Sequence, residues 1–155
     1  MSVAATIRQI SALGEEMPSP DLRRASFEEF LDGMHHADVT KISRRLAENV
    51  VLNSPILEEA ISGREKATAL LEKLSSLADD FTVHQILVGE TQLAASFGLR
   101  VGETALDGID YARFDADNNI VELSVYWRPL PRIVEMQQHF ASALGAPALE
   151  LVIKE

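Results

Sequence analysis

The chain has 155 residues, 46% of them hydrophobic and 25% charged, a length that suits one domain able to bury roughly 70% of its extended-chain surface. Its net charge of −10 weighs against a nucleic-acid partner, which needs clustered Lys and Arg. The absence of cysteine excludes disulfides, thiolate metal sites and a cysteine nucleophile.

The opening MSVAATIRQISALGEEM is broken too often by polar residues to be a signal peptide's apolar core, and no window approaches the roughly 18 apolar residues of a membrane span. The expectation is a soluble, cytoplasmic protein with neither membrane nor nucleic acid as partner. Val3, Ile7, Ile10, Leu13 and Met17 recur at helical spacing, and Pro18-Ser19-Pro20 ends that short amphipathic helix. A second helix is expected from Ser26, where Ser26-Phe27-Glu28-Glu29 has the form of a capping box. Its apolar face is Phe27, Phe30, Leu31, Met34 and Ala37. Asp38 is placed to cap a third helix, with Val39, Ile42 and Leu46 turned inward. The period becomes strand-like at VVLNSP, residues 50–55, and Pro55 stops it. Ser62-Gly63-Arg64-Glu65 reads as another capping box, opening a helix that buries Ala67, Leu70, Leu71, Leu74 and Leu77.

Beyond residue 80 the pattern is β. Phe81 to Val88 forms one strand, and Leu93, Ala95, Phe97, Leu99 and Val101 alternate along a second. Gly102-Glu103 reverses the chain into a third strand from about Thr104 to Phe114. Asp115-Ala116-Asp117-Asn118-Asn119 is a turn by composition. The fourth strand carries Val121, Leu123, Val125 and Trp127 on one face, with Glu122, Ser124, Tyr126 and Arg128 on the other. Arg128-Pro129-Leu130-Pro131 ends it, and Pro131 suits the first turn of a last helix presenting Ile133, Met136, Phe140 and Leu144. Helices followed by consecutive antiparallel strands make the class α+β.

This order resembles the nuclear transport factor 2-like superfamily. MHHADVTKISRRLAENVVLNSP (34–55) with SGREKATALL (62–71) resembles its first helix–strand–helix. GIDYARFDADNNIVELSVYWRPL (108–130) resembles its final hairpin, including the Arg-Pro-Leu exit of SnoaL-like members. The resemblance covers about residues 26–140, the core of the single domain that the length leads one to expect over 1–155. A helical extension over 1–25 and a tail over 141–155 fall outside it. The core is implied to be a cone in which a curved antiparallel sheet wraps the N-terminal helices, with an extra C-terminal helix. It also implies a pocket for a small apolar molecule, with Asp110, Ala112 and Phe114 inward on one strand. Leu52 and Ser54 turn inward on the first strand, Val121, Leu123, Val125 and Trp127 on the last, and Phe30 and Met34 project from the helix. A homodimer through the outer sheet face is implied, including Tyr126 and Arg128 with Ile120 at its start. Leu149, Leu151 and Ile153 alternate in the tail and suit an added edge strand, in the same subunit or across the dimer.

The chemistry hangs on Asp110. Ketosteroid isomerases, similar over the same stretches, use a carboxylate base with a tyrosine and a protonated carboxylic acid. Carried over, the protonated acid falls on Asp110, the tyrosine on Phe30 and the base on Ser54, so one role of three is kept. The Asp-Arg-Asp pattern of limonene epoxide hydrolases is absent, since Arg100 is followed by Val101 and Gly102. SnoaL-like polyketide cyclases imply cofactor-free acid–base chemistry with one pocket aspartate, a role open to Asp110 if burial raises its pKa. The alternatives are that Asp110 only anchors the pocket floor, and that the chain is a non-catalytic ligand-binding or dimerisation module. Neither metal nor cofactor is expected, because His35 and His36 diverge on a helix and a metal needs three or four converging ligands. His84 faces in or out according to register, and His139 lies at the border of the last helix's apolar face.

Overall fold

Phe27, Phe30, Leu31 and Met34 stand three or four residues apart, and helix α1 (Pro20–His36) buries all four. The computed structural model describes residues 20–155, so the helix expected over Val3–Met17 lies outside the described residues. The chain is already helical at Pro20, which corrects the expected start at Ser26. Ser26 sits inside the helix, buried, and its hydroxyl donates to the Asn118 carbonyl. It fastens α1 to a distant turn instead of capping. Glu29, the other half of the expected box, pairs with Arg44 and Arg45. Asp38 does cap helix α2 (Val39–Arg44), its carboxylate accepting from the Thr40 and Lys41 amides at 3.1 and 3.2 Å.

Strand β1 (Leu46–Asn53) begins earlier than its hydrophobic run suggests, so Leu46 is a strand residue, not a helical one. It is nevertheless buried, because its partner across the sheet is the equally buried Ile120. The short β2 (Ile61–Ser62) leads into α3 (Arg64–Leu77). The α3 N-cap is Gly63, with no side-chain capping bond, so Ser62 is a β2 residue and no second capping box forms. Leu77 turns out to solvent, while Ala67, Leu70 and Leu71 are buried.

Strands β3 (Asp80–Val88), β4 (Gln92–Val101), β5 (Thr104–Phe114) and β6 (Ile120–Arg128) form the antiparallel meander. The full sheet order is β2-β1-β6-β5-β4-β3, curved and open, and the β1–β6 pair is parallel. The fold is therefore α+β, with helix α4 (Leu130–Leu144) as the C-terminal addition. Along β5 buried and exposed residues alternate without interruption from Thr104 to Phe114, so one face is core and the other is open.

Within the meander, two register shifts break the simple alternation. Arg113 faces Glu122 but Phe114 faces Ile120, which leaves Val121 as the extra residue. This corrects two expectations at once: Val121 is not part of the inner row, and Ile120 is fully buried rather than on the outer face. A second register shift between Val83 and Gln85 turns His84 outward, where its Nε2 would lie 3.3 Å from a Cβ on Gly98. Among the described residues the tail pairs with no strand. Gln137 holds it instead, donating to the Pro147 carbonyl at 2.9 Å and accepting from the Leu149 amide at 2.8 Å. Among the described residues no helix is long and apolar enough to cross a membrane.

Candidate functional site

The concave face of the sheet and two helices enclose a narrow cavity. Helix α1 contributes Phe30 and Met34, the face fixed by its helical spacing. Leu71, Leu74 and Ser75 come from α3, with Ala78 just beyond its end. The sheet adds Phe81, Phe97 and Leu99 from β3 and β4, Asp110 from β5, and Leu123, Val125 and Trp127 from β6. The cavity volume is about 40 Å³, room for about two or three waters. Met34, unbranched and adaptable, is the lining residue best able to make way for something larger.

Asp110 is only 4% exposed. It faces Ala95 on one neighbouring strand and Val125 on the other, so no charge lies across the ladder from it. Burial alone pushes its carboxyl up to about 7, because an apolar surrounding disfavours the ionised form. Ser75 is buried nearby and its hydroxyl donates back to the Glu72 carbonyl at 3.1 Å. A carboxyl in this setting can hold its proton at neutral pH and donate it, or release it and act as a base.

Phe30, Met34, Asp110, Leu123, Val125 and Trp127 meet in this one cavity. Three residues expected beside them lie elsewhere. Leu52 and Ala112 are buried in the core next to the cavity without lining it. Ser54 falls past the end of β1, where its hydroxyl accepts from the Ile56 amide at 3.2 Å. The strand stops at Asn53, so the alternation that would have pointed Ser54 inward no longer applies. Phe81, Phe97 and Leu99 escaped mention as lining residues although strand alternation had already turned Phe97 and Leu99 inward. Ser75 and Ala78 carried no signal at all, since each looks like a surface residue at a helix end.

Trp127 lines the cavity, its ring centroid 6.5 Å from that of Phe140 on α4. The histidines stay apart from this site. His35 and His36 engage different carbonyls through Nδ1, those of Phe81 and Asp32, while His139 contacts the Thr104 hydroxyl through Nε2 at 3.0 Å.

Solved structures confirm the architecture. A protein with a cystatin-like fold from Silicibacter pomeroyi is 21% identical with a TM-score of 0.73, over 77% of this chain and 85% of that one. A steroid delta-isomerase from Pseudomonas aeruginosa is 29% identical with a TM-score of 0.68, over 80% of this chain and 95% of its own. An NTF2-like protein from Cytophaga hutchinsonii is 19% identical with a TM-score of 0.62, over 72% and 94% of the two chains. No curated protein matches the sequence significantly. The SnoaL-like domain family matches residues 27–123, from the α1 residue that packs on Phe114 at the end of β5 to the β6 residue that faces Ala112. This chain therefore belongs to the SnoaL-like family, within the nuclear transport factor 2-like superfamily.

Proposed function

We propose that the cavity receives a small, largely apolar compound bearing a carbonyl oxygen, and that Asp110 exchanges a hydrogen bond or a proton with it. One observation carries this reading: a carboxyl buried in apolar walls and pushed up to about 7. Such a group is roughly half protonated near neutral pH, where general acid–base catalysis is most effective. Likeness to a steroid delta-isomerase at 29% identity supports chemistry at a carbonyl-bearing substrate. The tyrosine and separate base of the isomerases have no counterpart, with Phe30 lacking a hydroxyl and Ser54 outside the cavity. A cofactor-independent step run by one carboxyl, of the cyclase kind, suits this set better.

A second reading is a non-catalytic binding module. It is favoured by the cavity lining, where among the described residues Asp110 is the sole titratable side chain. Carbon NMR of the Asp110 carboxyl is expected to give a midpoint near 7, and one near the unperturbed value of about 3.9 counts against proton transfer. Asp110→Asn should abolish turnover of carbonyl compounds while preserving their binding. Unchanged turnover removes Asp110 from the mechanism, and wild-type binding without turnover selects the second reading.

We also propose a homodimer through the open sheet face. Ile109 and Tyr126 pair across β5 and β6, and Leu87, Ala94 and Tyr111 form the adjoining row. Leu87, Ile109, Tyr111 and Tyr126 are all exposed in a single chain, a contiguous apolar surface of the sort a second copy covers. Light scattering at micromolar concentration should give twice the 17.0 kDa chain mass. A monomer mass would sink the proposal.

A further inference from the structure

We propose that the indole N–H of Trp127 is a second hydrogen-bond donor of this cavity, and that the site selects a small cyclic ketone over a hydrocarbon of the same shape. The inference rests on the carbonyl reading above and supplies the donor that Phe30 lacks. Nε1 of Trp127 touches no water-sized space, in the cavity or outside it, and has no acceptor among the described residues, so a carbonyl reaches it when a lining side chain gives way. A buried tryptophan N–H ordinarily finds a partner, since leaving it unpaired forfeits a hydrogen bond made in water. Two other buried side-chain atoms share that condition, Thr68 Oγ1 and Asn118 Oδ1. Neither residue lines the cavity, whereas Trp127 lines it together with Asp110.

The ladder brings the two groups near each other. Asp110 stands opposite Val125, and Trp127 follows two residues later on the same face. Such diagonal neighbours lie about 7–8 Å apart, within reach of an aromatic side chain. The nitrogen-bearing edge of the indole is also held in place. A Cβ on Gly108, the residue opposite Trp127, would lie 2.9 Å from Cδ1, the carbon bonded to Nε1. Glycine thus lets that edge lie close against the strand carrying Asp110. A carbonyl oxygen has two lone pairs and can accept from the Asp110 hydroxyl and the indole together. An alkene of equal shape satisfies neither donor.

The chain has a single tryptophan, so one indole resonance in a nitrogen-15 spectrum reports Trp127 alone. Titration of the full chain with cyclohexanone is expected to move that proton downfield, and methylenecyclohexane is expected to leave it in place. Trp127→Phe, followed at the Asp110 carboxyl carbon, should weaken cyclohexanone about three- to tenfold, the worth of one hydrogen bond. Its affinity for methylenecyclohexane should not change. If cyclohexanone moves the Asp110 carboxyl but not the indole, the second donor is refuted while the Asp110 reading stands. If it moves neither, both are refuted. Because the indole shift is read on the unaltered chain, a misfolded variant would not rescue the proposal.

Discussion

Asparagine in place of Asp110 is expected to stabilise the protein at pH 8 by roughly 4 kcal/mol relative to its effect at pH 3. The carboxyl ionises near 3.8 when exposed and at about 7 when folded. Between those values the folded chain binds a proton that the unfolded chain has lost, so folding becomes less favourable as pH rises. The loss begins near pH 4, grows to about pH 7 and is constant above it. Asparagine has the same shape and no charge, so the variant lacks this slope. Glu29 and Asp32 are held below the usual range by hydrogen bonds from Arg45 and Lys41. Their pH dependence has the opposite sign, lies at lower pH and is common to both proteins. Urea unfolding across pH 3 to 9 measures the difference. A difference that stays flat between pH 4 and 7 would show that the folded carboxyl ionises as readily as an exposed one.

Gly108→Ala is expected to destabilise the fold by about 2–3 kcal/mol, as overpacking of a filled core does. The new methyl would lie 2.3 Å from Cζ of Phe97 and 2.9 Å from Cδ1 of Trp127. Phe97 is buried with its ring centroid 4.9 Å from that of Phe81, so it can yield only by giving up that contact or filling the cavity it lines. Trp127 is backed by Phe140. The matched control is Gly98→Ala on the opposite face, where the nearest atom is 3.3 Å away at the tip of exposed His84. That change should stay within about 0.5 kcal/mol. Paired denaturation curves, with Trp127 fluorescence as the probe, give both values. Equal costs at the two glycines would mean that the Phe97 and Trp127 rings yield freely, leaving the cavity wall soft.

The strands of the meander were legible because each repeats a two-residue rule over a long run. Leu93, Ala95, Phe97 and Leu99 declare the inner face of β4, and β5 keeps its alternation from end to end. From that rule and the family resemblance, Asp110 could be put on the concave side. What the rule cannot express is an inserted residue. At Val121 one extra position reverses the sides of Ile120 and Val121, and nothing in the local hydrophobicity distinguishes one from the other. Helix starts failed for a related reason. A serine followed by glutamate matches a cap in any register, but Ser26 and Ser62 were claimed by contacts or strands that the local sequence does not show. Asp38 succeeded because a short helix directly follows it. Ser75 and Ala78 became cavity residues only through how α3 lies on the sheet, which depends on every packed side chain between them.

The parallel pairing of β1 with β6 bears on the order in which this chain can complete itself. The β4–β5 hairpin closes with Val101 facing Thr104, almost without loop to restrain. Asn53 and Ser124, whose side chains meet at 2.9 Å, are 71 positions apart, and contacts of such separation arrive late in folding. Before then Leu46 and Leu52 lack their partners Ile120 and Leu123. A growing chain thus has only the short β2 beside its β1 strand, and leaves the other edge of β1 unmatched until β6 has been synthesised, when the cavity acquires its β6 wall in the same event.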